Sequence, residues 1–108
     1  MIIAYKLFEK HKGKLYSWYP WHGMKFEAYD PKYIITRADD CGPFACFDTV
    51  KNALRLGGPQ KHDWDVLYQV RIKESKDKYL WIGDCKRRSD FPRGTILADE
   101  FEILEQVK

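Results

Sequence analysis

Asp65-Val66-Leu67-Tyr68-Gln69-Val70-Arg71-Ile72-Lys73 is the stretch on which the fold turns. Along an extended chain Val66, Tyr68, Val70 and Ile72 share one face, and Gln69, Arg71 and Lys73 share the other. That period of two belongs to a half-buried strand of an antiparallel sheet, with one side on a core and the other in water. Downstream, Lys76-Asp77-Lys78 turns the chain and Tyr79 to Gly83 returns as a strand. Thr95 to Val107 is a last extended segment.

Upstream, Ile2 to Phe8 alternates as well, placing Ile3, Tyr5 and Leu7 on one side and Lys6 on the other. Lys12-Gly13-Lys14 breaks the chain before Leu15-Tyr16-Ser17-Trp18, the pattern of an opening hairpin. Beyond a turn at Pro20 to Gly23, Met24 to Tyr29 reads as a short strand. Asp30-Pro31 interrupts it, and Tyr33-Ile34-Ile35-Thr36 is β-branched enough for another. One helix stands out, Asp48 to Leu56. Asp48 serves as its N-cap, Val50, Ala53, Leu54 and Gly57 form its apolar stripe, and Gly57-Gly58-Pro59 stops it. The stripe is expected to lie on the Val66, Tyr68, Val70 and Ile72 face. The expected fold is α+β, one domain over residues 1–108, with one short helix packed on a curved, mostly antiparallel sheet.

A chain of 108 residues, 44% hydrophobic and 32% charged, is large enough for one core and unlike a disordered segment. No run approaches the ~20 apolar residues of a membrane span. The opening Met1-Ile2-Ile3-Ala4-Tyr5 reaches Lys6 too soon for a secretory h-region, so a cytoplasmic protein without a membrane partner is expected. Three cysteines, an odd number, suit a reducing compartment.

The rings are more telling. The chain holds 4 Trp, 7 Tyr and 6 Phe, densest at Tyr16-Ser17-Trp18-Tyr19-Pro20-Trp21-His22. Surplus Trp and Tyr beside cations suit a recognition surface. The net charge is +3, unevenly laid out: Arg71, Lys73, Lys76, Lys78, Lys86, Arg87, Arg88 and Arg93 precede an acidic end of Asp99, Glu100, Glu102 and Glu105. Such a dipolar surface steers an anionic partner. The candidate binding set is therefore Trp18, Trp21, His22 and Trp81 with Arg71, Lys86, Arg87, Arg88 and Arg93. Its partner class is an anionic macromolecule or a nucleotide-like ligand. Rings that stack and cations that follow phosphates also describe a single-stranded nucleic-acid binder, although no RNP-like, KH or helix-turn-helix pattern is present. The ordinary reading of the same residues is a solvated surface over a ring-filled core.

Other chemistries are weaker. Cys41 and Cys46, with Cys85 and His22 or His62, make one short pair where zinc sites show two, so no metal is expected. Cys85 beside Lys86-Arg87-Arg88 would favour a thiolate, yet no histidine is brought to it. The three cysteines read as packing residues, with Cys46 beside Phe44 and Phe47 in a strand expected to be buried.

The run Cys41 to Leu54, then Val66-Leu67-Tyr68-Gln69-Val70-Arg71-Ile72, then Gly94 to Leu104, resembles the layout of small, largely uncharacterised phage and prokaryotic proteins. There a glycine-led strand with an aromatic pair opens a short helix, a strand follows, and a closing strand ends the domain. The order of elements is also similar to the core of ADP-ribosyltransferases. That likeness implies a catalytic glutamate at Glu100 or Glu102 and a nicotinamide wall from Tyr5, His22 or the Tyr16 to Trp21 rings. No Ser-Thr-Ser stretch follows the second strand, and strand alternation alone puts both glutamates on an outward face. The sequence thus points to a small non-catalytic binding module, an accessory protein of phage or prokaryotic type recognising an anionic partner without a cofactor. A minimal ADP-ribosyltransferase-like enzyme is the alternative, and the oligomeric state is left open.

Overall fold

The computed structural model describes residues 2–17, 28–37, 43–58, 63–78 and 91–107. Among these described residues six strands and one helix follow in order: β1 (Ile2–His11), β2 (Lys14–Ser17), β3 (Ile35–Thr36), β4 (Phe44–Phe47), α1 (Val50–Leu54), β5 (Asp65–Glu74) and β6 (Thr95–Gln106). All pairings are antiparallel. β1 and β2 form the expected hairpin, closed by Lys12 and Gly13 at φ 51° and 78°, the left-handed pair that a two-residue turn needs.

The expected curved sheet goes further and closes on itself. β1 pairs with β5 from Ile2↔Ile72 to Glu9↔Asp65, β5 pairs with β6, β6 with β4, and β4 returns to β1 through Tyr5↔Phe47. β2 extends one side and β3 adds to β6 through Ile35↔Phe101 and Thr36↔Glu100. Closure needs bending, and two irregularities in the β5–β6 register, at Gln69/Val70 and Lys73/Glu74, supply it. The strand expected at Tyr33 to Thr36 is only Ile35–Thr36, the two residues paired with β6, while the Tyr33 amide closes a turn to Asp30 O at 3.1 Å. The strands expected at Met24 to Tyr29 and Tyr79 to Gly83 fall largely or wholly outside the described residues, apart from a bridge between Tyr29 and Leu15.

Inside the barrel, Val66, Val70 and Ile72 are buried with Ala4, Phe8, Cys46, Ala98, Phe101 and Ile103. The alternation read from β5 therefore holds. Phe8, Tyr29, Phe44, Tyr68 and Phe101 meet mostly edge to face, as in Phe44–Phe101 with centroids 4.8 Å apart at 88° and Tyr29–Phe101 at 5.3 Å and 86°. Each such pair contributes about 0.5–1.5 kcal/mol beyond burial.

Three expectations are corrected here. Lys6 does not face water: it shares the interior face with Ala4 and Phe8 and is 1% exposed. The helix is shorter, and its cap is Thr49, whose Oγ1 accepts from the Asn52 amide at 3.1 Å, while Asp48 takes the Asn52 side-chain amide at 2.7 Å. Thr49 holds the extended φ of −137° that an N-cap requires, which fixes where the first turn begins. Finally, Val50, Ala53 and Leu54 pack outside the barrel, on Tyr5, Leu7, Phe47, Leu67 and Val107, and not on the Val66 face. A closed barrel leaves only its outer wall for a helix.

The end of α1 is pinned from within the chain. Gly58, at φ 121°, donates its amide to the buried carboxylate of Asp65 at 3.2 Å. A Cβ there would lie 2.7 Å from Leu54 Cδ2, so the tight exit from the helix needs glycine.

Candidate functional site

Where β5 runs out and β6 begins, Glu74, Ser75, Asp77 and Lys78 face Thr95, Ile96 and Leu97 across a pocket of about 160 Å³, with Phe91 as a further wall. Local rules build each side. The Ser75 amide donates to Leu97 O at 2.8 Å, carrying the sheet past the last irregularity. Ser75 Oγ then accepts from the Asp77 amide at 3.1 Å, a side-chain-closed turn that bends Lys78 over the opening. Opposite, Thr95 gives both its amide and its hydroxyl to Pro92 O, at 3.2 and 2.7 Å, and Gly94 takes φ 83°. That turn is held against the helix entrance by Asp48 N donating to Gly94 O at 2.9 Å. Phe91 lies on Ala45 and Leu97.

The charges around this pocket are ordered. Arg37 reaches Asp77 at 2.6 Å and Asp99 at 3.1 Å, tying the loop before the pocket to β6. Two carboxylates are thus matched by one guanidinium, leaving Glu74 and Lys78 exposed at the rim. A space this size admits one phosphate, one carboxylate-bearing side chain or the edge of a ring, and not a whole dinucleotide.

Of the binding residues expected from the sequence, Arg71 and Arg93 fall within the described residues. Trp18, Trp21, His22, Trp81, Lys86, Arg87 and Arg88 lie outside the described residues, as do Cys41 and Cys85. Arg93 is exposed one residue before the pocket's Gly94 turn. Arg71 is on the outer wall, its Nη1 donating to Glu102 Oε1 at 2.8 Å. The polarity expected between a basic stretch and an acidic end is closed locally, because strand pairing sets Arg71 opposite Glu102 and Lys73 opposite Glu100. For the same reason Glu102 is an ion-pair partner on a strand and not a lone carboxylate in a cleft.

The reading of the sequence missed Ser75, Thr95, Phe91 and Arg37, which gather only when β5 and β6 pair. It also missed the chemistry of Lys6. The Tyr5↔Phe47 pairing brings Lys6 beside Cys46 on the interior face, and Lys6 Nζ donates to Ala45 O at 3.0 Å. The nitrogen lies 5.5–5.6 Å from the ring centres of Phe8, Phe44 and Phe101. Burial lowers the lysine's pKa from 10.5, with Cys46 pulling weakly the other way. The same burial pushes the Cys46 thiol up to about 11, opposed by Lys6. Phe8 in the same alternation, two residues from Lys6, was the signal that could have placed the lysine inward.

Among the described residues no group of three or more His, Cys, Asp or Glu side chains is placed to hold a metal ion. No described helix is long and apolar enough to cross a membrane. Fold and site define a small antiparallel β-barrel with one outer helix and a pocket at the β5–β6 end. No protein-family model, curated protein or solved structure matches the chain.

Proposed function

We propose that this barrel is a binding module for an anionic partner, engaged at the β5–β6 pocket and by the basic segment that departs from it. The observation that supports this reading is that Lys78 and Phe91, the residues on either side of segment 79–90, both line the β5–β6 pocket. In sequence, Lys86, Arg87 and Arg88 fall between these two pocket residues, with Arg93 two positions after Phe91. A phosphate or carboxylate seated between Lys78 and the Ser75 hydroxyl would be met by a charged donor and a neutral one, while Phe91 offers an apolar wall. Recognition without turnover is part of this reading; in its support, the described Cys46 is a buried thiol with a raised pKa, and Glu102 accepts from Arg71.

Tryptophan fluorescence titration with a single-stranded oligonucleotide, an acidic peptide and a nucleotide series at two ionic strengths tests the reading. Lys78→Ala and the Arg87→Ala, Arg88→Ala pair should weaken binding chiefly at low salt, because they set long-range attraction. Phe91→Ala should weaken it at both. Absence of binding to every anionic probe, or binding that ignores all of these substitutions, would remove the proposal.

A further inference from the structure

Beyond α1, the outer wall of β5 and β6 carries an ordered set of side chains. Cross-strand pairing aligns Ile3 with Arg71 and Arg71 with Glu102, and in the next row sets Lys73 against Glu100. Directly paired residues point to the same side of a sheet, so these five share the outer face. Ile34 precedes β3, whose Ile35 pairs with the inward Phe101, which puts Ile34 at the far end of the first row. The paired row across β1, β5 and β6 is Ile3, Arg71, Glu102, and continuing the β3–β6 register by one residue sets Ile34 beyond Glu102. Ile3 is 46% and Ile34 54% exposed, and the Arg71 and Glu102 side chains are 46% and 36% exposed.

This pattern has a symmetry of its own. β5 is basic on this face, β6 is acidic, and each row has opposite charges at equal distances from the line between the strands. A two-fold axis along that line and parallel to the strands carries Arg71 of one copy onto Glu102 of the other. The same rotation carries Lys73 onto Glu100 and Ile3 onto Ile34. Every charged position then meets its opposite, and an isoleucine caps each end. Such an isologous arrangement is the ordinary way in which one surface satisfies itself. A foreign partner would need the alternating charges in mirror order, whereas a second copy already carries them.

We infer that the chain self-associates as a two-fold dimer through this β5–β6 face, with Arg71 and Lys73 of each protomer against Glu102 and Glu100 of the other. A convex barrel wall limits the contact, so the dimer is weak, reversible and loosened by salt. The inference is independent of the pocket, which lies at the end of these strands.

Sedimentation equilibrium on the wild-type chain at low and high salt, with two charge-reversal variants, provides the test. Arg71→Glu with Lys73→Glu makes the face wholly acidic, and Glu100→Lys with Glu102→Lys makes it wholly basic. Each variant alone should associate about tenfold or more weakly than wild type, since like charges now meet. Their equimolar mixture should form a heterodimer. Mixing cannot restore pairs within a protomer, so recovery isolates contacts between protomers. Ile34→Asp, an exposed substitution, should abolish association while the unfolding midpoint stays near wild type, which keeps the inference testable if a reversal variant misfolds. A wild-type chain monomeric at its highest soluble concentration overturns it, as does a dimer indifferent to Ile34→Asp or a mixture of folded variants that remains monomeric.

Discussion

The amine of Lys6 ends 3.0 Å from the carbonyl oxygen of Ala45, enclosed inside a barrel of phenylalanine and aliphatic side chains. A cationic ammonium in that place gains one hydrogen bond and the faces of three rings, against a desolvation penalty of several kcal/mol. The balance predicts that Lys6→Met, which keeps the length of the chain and drops the amine, leaves stability unchanged or raises it by about 1 kcal/mol or more. Lys6→Ala should instead lower it by about 2–5 kcal/mol through the cavity left behind. Urea unfolding with an unchanged m-value is the measurement. A Lys6→Met variant as unstable as Lys6→Ala would mean that the hydrogen bond to Ala45 outweighs desolvation.

The same residue sets an unusual dependence on pH. Lys6 binds its proton more weakly in the folded chain than in the unfolded one, where the pKa is about 10.5. Below the folded value both states are protonated and the penalty is present in full. Between the folded value and 10.5 the unfolded state holds the extra proton, so this contribution makes stability rise with pH. Cys46 acts oppositely: its thiol ionises near 9.0 unfolded and about 11 folded, so its contribution is lost as pH climbs from 9.0 towards 11. Unfolding free energies followed from neutral to alkaline pH should show a rise that Lys6→Met abolishes. Cys46→Ala should remove the opposing loss at the alkaline end.

Thr49, and not Asp48, caps the helix, because its hydroxyl accepts the Asn52 amide. Thr49→Ala should cost about 1 kcal/mol in thermal unfolding. Asp48→Ala loses only an exposed contact with the Asn52 side chain and should cost a few tenths of that. Equal losses in the two variants would place the helix start one residue earlier.

Gly58→Ala combines a left-handed φ of 121° with a Cβ 2.7 Å from Leu54 Cδ2. It should destabilise by about 1–3 kcal/mol, more than Gly13→Ala, where nothing lies within 4 Å of the added carbon. Chemical unfolding of the two variants side by side measures the excess at Gly58, where a φ further from the left-handed α well adds to the clash with Leu54.

Glu102→Gln removes the charge that Arg71 meets on the open wall, and exposed pairs of this kind contribute about 0–1 kcal/mol. The thermal midpoint should hardly move. Incubated with nicotinamide dinucleotide, the wild-type chain should release no nicotinamide in a manner that depends on Glu100 or Glu102. Release that vanishes in Glu100→Gln or Glu102→Gln would favour the ADP-ribosyltransferase-like reading over the binding module.

Local chemistry made much of this protein legible. Alternation in Val66 to Lys73 gave the inner and outer faces of β5, the break at Lys12-Gly13-Lys14 announced an opening hairpin, and the Val50, Ala53, Leu54 spacing marked a helix with one apolar side. These depend on neighbours one to four residues apart, and periodicity reports such neighbours directly. What the chain order cannot report is closure. Only when β4 reaches β1 and β5 reaches β6 does the wall gain an inside, and that decides that Lys6 goes in, that the helix stays out, and that Arg71 and Lys73 lie beside Glu102 and Glu100 instead of at opposite poles. The pocket has the same origin: Ser75 is far in sequence from Phe91 and Thr95 and meets them where β5 and β6 pair beyond the register shift at Lys73/Glu74. Spacing along the chain determined which residues could share a face; pairing between distant strands decided what that face would touch.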